Sequence, residues 1–279
     1  MRRFKFRWLM LLGVIAVFGL IITGCGQKKA ADKGPLTVAT SGTLYPTSYH
    51  DQKTNKLTGF DVEVVRAVGK KLGRKVVFKE MNVDGQETAV KTGKADMAAN
   101  DFSVSPQRKK EFALSTPYKH SFNSIIVRKK DDSGIHSWAD IKGKKAAGEA
   151  GTNYQRLAKQ LGAKTVNYNN VSNDVYIKDV EAGKTDLIMN DYYLQKLALA
   201  AVPNNTLKIM PNMYFTTNED GKGVGILMKK GNTKLQKQVD KALKELKKDG
   251  TLKKLSKKYY HADVTKQPHV HISKTFTIK

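Results

Sequence analysis

A nine-residue phrase occurs twice in this chain, as GKADMAAND (Gly93–Asp101) and, ninety residues later, as GKTDLIMND (Gly183–Asp191). In each copy a glycine ends a helical pattern, a short apolar run follows, and Asn-Asp closes it. Glycine after a periodic stretch is a helix stop, because it takes the left-handed cap without steric cost. A bounded apolar run reads as a buried strand. Helix, stop and buried strand in two copies commit the chain to α/β architecture, with a mostly parallel sheet covered by helices in each half. The aspartate at each strand's carboxyl end is not required by that scaffold. It stands where open α/β sheets hold their ligands.

The flanking sequence obeys the same grammar. LTVAT (Leu36–Thr40) is predicted to be a strand. FDVEVVRAVGKKLG then sets Phe60, Val64, Ala67, Val68 and Leu72 on one helical face, with Gly73 as the stop. KVVFK (Lys75–Lys79), a short helix in ETAVKTGK and a strand in DMAAN complete the first half. The pattern restarts near KKAAGEAG (Lys144–Gly151), where NYQRLAKQLG turns Leu157, Ala158 and Leu161 inward. The strand TVNY, the helix VYIKDVEAGK and the strand DLIMN follow. After LKIM (Leu207–Met210) come a polar connection, PNMYFTTNEDGKG, a strand in VGILMKK, a helix over Leu235–Leu246 and another around Leu252–Tyr259. Residues 264–279 show no periodicity and are expected to form a flexible tail.

Arg2, Arg3, Lys5 and Arg7 precede an apolar run from Trp8 to Ile22, the layout of a secretory signal peptide. The run falls slightly short of the roughly 20 residues that span a bilayer. It ends in ITGCG, which resembles a bacterial lipobox, and Cys25 is the single cysteine of the chain. Cleavage before Cys25 and lipidation of its thiol, with Gln27–Gly34 as a tether, are therefore expected. Without a second cysteine no intrachain disulfide forms, despite export. The 279 residues carry 50 Lys+Arg against 25 Asp+Glu, a net charge of +25, and loss of residues 1–24 lowers it to +21. Such an excess favours anionic partners. Export and the lack of a basic helix with interleaved aromatics argue against nucleic acid, leaving weak attraction to anionic cell-wall or host surfaces.

Ser105 before Pro106 is an N-cap and N1 pair that puts Arg108 in a first helical turn. A cation there opposes the helix dipole, so a carboxylate grip with two parallel hydrogen bonds is a competing use to that of a surface charge. Ser103 can add a hydroxyl. In GEAGTNYQRLA, Thr152 can cap a helix whose first N–H groups suit an anion. Asp191 supplies a negative charge for an ammonium group. Arginine and a helix N-terminus for a carboxylate, with an aspartate for an amine, describe a receptor for a free amino acid.

The segments GFDVEVVRAVGKKLG, GKADMAANDFSVSPQRKKEFALSTPY, GTNYQRLAK, GKTDLIMND and LKKDGTLKKLSKKYYHADVTK resemble the extracellular solute-binding proteins of polar amino-acid ABC importers. The likeness runs from about Leu36 to Lys266, and GTNY and ADVTK are most similar to cystine-binding members. It implies a two-lobed, periplasmic-binding-protein-like α/β fold of type II with two crossover strands and a ligand cleft between the lobes. The expected division is a leader over 1–24 and a lipidated tether over 25–34. Residues 35–121 and 223–262 form one lobe, 122–222 the other, and 263–279 a flexible tail. Carried over, Arg108, Ser103 and Thr152 with the neighbouring Asn153 bind the ligand α-carboxylate. Asp191 binds the α-ammonium, helped by the backbone near Asn100 and Asp101. Leu44, Thr47 and Val83 match first-lobe pocket positions where the family usually has aromatics; here only Tyr45 and Tyr49 are aromatic nearby, and Leu44, Tyr45 and Val83 are expected to line the pocket. Were the Asp101 carboxylate also turned into the cleft, the pocket would favour a ligand with a second ammonium group. The resemblance further implies no enzymatic chemistry, no cofactor and no metal, a permease partner, a monomer, and anchoring on the outer face of the cell membrane. The alternatives are a basic surface adhesin, or a binding protein for another polar or basic amino acid.

Overall fold

A computed structural model describes residues 34–279 except 170 and 203. The leader, Cys25 and most of the tether lie outside the described residues. Among the described residues no helix is long and apolar enough to cross a membrane.

The chain opens with β1 (Leu36–Thr40) and a small antiparallel sheet of β2 (Thr43–Leu44), β3 (Ser48–His50) and β4 (Leu57–Thr58). Helix α1 (Phe60–Leu72) buries Phe60, Val64, Val65 and Val68 and stops at Gly73, which takes the left-handed conformation with φ 65°. The strand β5 (Val76–Glu80) follows, then α2 (Val83–Thr92), capped by the Asn82 side chain and stopped by Gly93. The strand β6 (Met97–Ala98) carries the first copy of the repeated phrase. After it come α3 (Pro106–Glu111) and β7 (Phe112–Leu114), and the chain leaves this half.

The second half holds β8 (Asn123–Arg128), β9 (Lys145–Gly148), α4 (Asn153–Gln160), β10 (Lys164–Asn167), α5 (Asn173–Glu181) and β11 (Leu187–Asp191). It continues through α6 (Tyr192–Ala201), β12 (Leu207–Ile209) and β13 (Phe215–Thr217). The chain then returns as β14 (Leu227–Lys229), α7 (Thr233–Lys248) and α8 (Thr251–Tyr260), and ends with β15 (Lys274–Phe276).

Strand order gives the two lobes. One sheet runs β5-β1-β6-β14-β7, with β14 inserted antiparallel between two earlier strands. The other runs β10-β9-β11-β8-β13-β15, with β12 also paired to β8. Each sheet is parallel at its α/β end (β1 with β5 and β6, β9 with β10 and β11) and antiparallel where the connecting segments enter it. The sheets are therefore more mixed than the helix-strand alternation alone predicts. Each lobe has its own core: Leu36, Val38, Phe60, Met97 and Val239 in the first, and Ile125, Leu157, Leu187 and Phe215 in the second.

The two connecting segments touch where they pass between lobes. Val224 N donates to Lys119 O at 2.8 Å, and Tyr118 N donates to Val224 O at 3.0 Å. Gly223 permits this approach: its φ is 122°, and a Cβ there would lie 2.4 Å from Lys119 O.

Two expectations need correction. The connection after Met210 is not wholly irregular, since Phe215–Thr217 forms a strand and Phe215 is fully buried. The C-terminal segment is not a free tail. Residues 274–276 pair in parallel with β13, and Phe276 and Ile278 join the second-lobe core. Phe276 meets Trp138 edge-on at 4.8 Å. Alternation of Thr275, Phe276, Thr277 and Ile278 provides the period of two that a half-buried strand needs. Burying two such side chains is worth about 1.5–3 kcal/mol each, enough to hold a short edge strand. Since Val264 is buried in the first-lobe core, residues 265–273 make a further covalent span from one lobe to the other.

Candidate functional site

The two aspartates of the repeated phrase meet on one lysine. Asp191 ends β11 and caps α6, its Oδ1 accepting from Leu194 N at 3.0 Å. Asp101 follows β6 with φ 61°, a left-handed conformation that aspartate tolerates better than most side chains. Its N–H donates to Asp61 Oδ2 at 2.7 Å. Between the aspartates stands Lys119, fully buried, whose Nζ donates to Asp101 Oδ1 at 2.6 Å and to Asp191 Oδ2 at 2.8 Å. The same Nζ lies 5.2 Å from the centre of the Tyr260 ring. Lys119 is also the residue at which the two connecting segments pair. One ammonium thus joins the strand ends of both lobes at their hinge.

Burial alone would discharge this lysine, but the attraction of Asp101 and Asp191 outweighs it and holds Lys119 well above the ordinary lysine range. Two carboxylates around one ammonium leave a net negative charge. Asp61 stands next to them, fully buried, its carboxyl pushed up to about 7 by burial and by the charge on Asp101. Since that value exceeds the roughly 3.9 of an unfolded aspartate, Asp61 favours folding below about pH 4, and the contribution is lost as pH rises through about 7. Asp61→Asn, which keeps an acceptor for Asp101 N–H, should therefore gain on the wild type by up to about 4 kcal/mol between pH 4 and pH 7. Urea unfolding at a series of pH values reads this directly. Parallel stability profiles for the two proteins would show that Asp61 titrates normally.

Beside this cluster lies a cavity between the lobes. Of the residues that the sequence singles out, Leu44, Val83, Asn100, Asp101, Ser103 and Arg108 border it from the first lobe, and Thr152 and Asn153 from the second. The Arg108 guanidinium is oriented by three neighbours. Its terminal nitrogen donates to Ser103 Oγ at 2.7 Å, its Nε to Glu87 Oε1 at 3.3 Å, and it sits 5.1 Å from the centre of the Phe102 ring. Ser105 Oγ accepts from Arg108 N at 3.1 Å, so the predicted N-cap is in place. Thr152 caps α4 as well, accepting from Gln155 N at 3.3 Å. A helix N-terminus suited to an anion and a partly buried arginine thereby border one cavity.

Two expected residues stand elsewhere. Tyr45 is not on the cavity wall and packs edge-on against Tyr49 at 4.8 Å. Asp191 lies behind the wall, its carboxylate engaged by Lys119 and Leu194. The Asp101 carboxylate is turned to Lys119 rather than free in the cleft, so it is not the receptor for a second ammonium group. The aromatic surface comes instead from Phe102, Tyr154 and Tyr176, which the sequence did not single out. Glu149 also borders the cavity. The signal for Tyr154 was its place in the first turn of the GTNY helix. Among the described residues no group of three or more His, Cys, Asp or Glu is arranged to hold a metal ion.

Comparison with known proteins gives consistent matches. The family model for bacterial extracellular solute-binding proteins, family 3, matches residues 36–262. The chain is 49% identical over 281 residues to a Bacillus subtilis (strain 168) protein named probable ABC transporter extracellular-binding protein YckB, covering 96% of each chain. It is 38% identical to the L-cystine-binding protein TcyA of the same organism, covering 84% of each. Among solved structures, an ancestral arginine-binding protein bound to arginine superposes with a TM-score of 0.73 at 32% identity, covering 82% of this chain and 99% of that one.

Proposed function

The chain belongs to the bacterial extracellular solute-binding proteins, family 3, and from that premise we propose that it captures L-cystine in the interlobe cavity and delivers it to a membrane permease. The coarser activity is that of the substrate-binding component of an amino-acid ABC transporter, which binds its ligand and does no chemistry on it. The observation that supports capture of a free amino acid is the cavity itself, where Arg108 and the N-terminus of α4 approach from opposite lobes. Arg108, with Ser103, grips the ligand α-carboxylate in a charge-assisted, two-bonded pair. Thr152, Asn153 and the first N–H groups of α4 complete that grip. The net negative charge of the Asp101–Lys119–Asp191 group draws the α-ammonium to the other side, near Asn100. Contacts from both lobes favour the closed form, and closure is what a permease can read.

Cystine leads because TcyA, at 38% identity, is named for binding it. L-Arginine is the second candidate, on the likeness to the arginine-bound structure. Lipidation at Cys25 would hold the receptor on the outer membrane face as a monomer, where its basic surface adds weak attraction to anionic wall polymers.

A thermal-shift panel of the twenty amino acids and L-cystine tests this on the chain lacking its leader. Ligand at about 100 times Kd stabilises the folded state by about 2.7 kcal/mol. For a chain of this size that corresponds to a rise of roughly 5–10 °C in Tm, expected for L-cystine. No shift with any amino acid would remove the transport reading.

A further inference from the structure

We infer that Glu149 sets the class of ligand that the cavity accepts, by receiving a cationic group on the ligand's side chain. This rests on the amino-acid reading above and adds to it a choice among amino acids. Three ionisable groups on the cavity wall could select for charge: Asp101, Arg108 and Glu149. Asp101 is held by Lys119, and Arg108 is paired with Glu87. Glu149 has no cation within ion-pair distance among the described residues, in a protein with 50 Lys and Arg.

What surrounds Glu149 suits a cation. Its Oε1 accepts Val83 N across the cleft at 3.2 Å, and among the described residues no hydrogen bond reaches its other oxygen. Asp84 adds a second negative charge from the first lobe. Its carboxylate approaches Gly151 so closely that a Cβ there would lie 2.2 Å from Oδ1. Tyr176, also on the cavity wall, adds an aromatic ring, a group able to attract cations. Burial, then the charge of Asp84, pushes the Glu149 carboxyl up. A ligand cation would offset both effects. L-Cystine brings such a group in its second ammonium, and arginine or lysine in the end of its side chain. Glutamine and methionine bring none.

Calorimetric titration of the wild type and of Glu149→Gln with L-cystine, L-arginine, L-glutamine and L-methionine tests the assignment. Glutamine keeps the acceptor for Val83 N–H and removes only the charge. The wild type should bind L-cystine or L-arginine at least tenfold more tightly than either neutral amino acid. Glu149→Gln should erase most of that preference while changing the neutral ligands less than twofold, and Glu149→Asp should retain it. A wild type that prefers a neutral amino acid overturns the inference while leaving the amino-acid reading intact. So does equal weakening of all ligands in Glu149→Gln, which would make Glu149 an interlobe capping contact only. A wild type that binds none of the four, and shows no shift in the full panel, removes the underlying reading and this inference with it.

Discussion

Replacing Lys119 with methionine should lower the unfolding free energy by about 3–5 kcal/mol, the range found when one partner of a buried ion pair is removed. Methionine matches the length of the lysine stem, so packing against Tyr260 is largely kept and the change falls on charge. Both carboxylates that the lysine serves are out of water, with side-chain exposures of 9% for Asp101 and 4% for Asp191. Without the ammonium, two like charges face each other in a medium that screens them poorly. For a chain of this size the loss corresponds to a fall of roughly 6–20 °C in Tm. The triple variant Lys119→Met, Asp101→Asn, Asp191→Asn should recover most of it, because no charge is then left unpaired, and asparagine can still cap α6. A Lys119→Met protein within about 1 kcal/mol of the wild type would show that the lysine contributes little to holding the lobes. Because Lys119 bonds to a strand end from each lobe, the single variant should also loosen the hinge.

Arg108→Ala should weaken ligand binding at least 100-fold, or about 2.8 kcal/mol at 1.4 kcal/mol per decade, while leaving the fold stable. Two losses combine. The ligand carboxylate forfeits a planar, two-bonded partner in a partly dry site, and Glu87 is left without the cation it pairs with at 3.3 Å. Arg108→Lys should fall between alanine and wild type, since an ammonium supplies charge without the fork geometry. The guanidinium is oriented before ligand arrives by Ser103 and the Phe102 ring, so little ordering cost opposes binding. Titration of the best ligand from the thermal-shift panel reads the effect. Unchanged affinity in Arg108→Ala would take the arginine out of the site.

Much of this arrangement could be read from the sequence because it is carried by local patterns. The period of α1 and its Gly73 stop, the Ser105–Pro106 start of α3 and the Thr152 cap of α4 each depend on neighbours within one turn. The two phrases located Asp191, at the end of β11, and Asp101, just beyond β6, for the same reason. Lys119 was not legible, since its partners lie 18 and 72 residues away. The available hint was a lone lysine inside the otherwise neutral stretch ALSTPYKHSFNSII. Its effect was to change the role of the aspartates: they close on the protein's own ammonium before they meet a ligand. The C-terminal strand was a different kind of miss. Its period of two is present over Thr275–Ile278, but four residues after an irregular stretch give a weak signal until β13 supplies a partner. Tyr45 was misplaced because a position near the cleft does not fix side-chain direction; the ring turned toward Tyr49.

The position of a bound amino acid in a crystal structure of the ligand complex tests the account most directly. The ligand carboxylate should sit on the Arg108 guanidinium and the first N–H groups of α4, with the ammonium on the Asp101 side of the cavity. A ligand bound outside this cavity, or with its carboxylate away from Arg108, would contradict it.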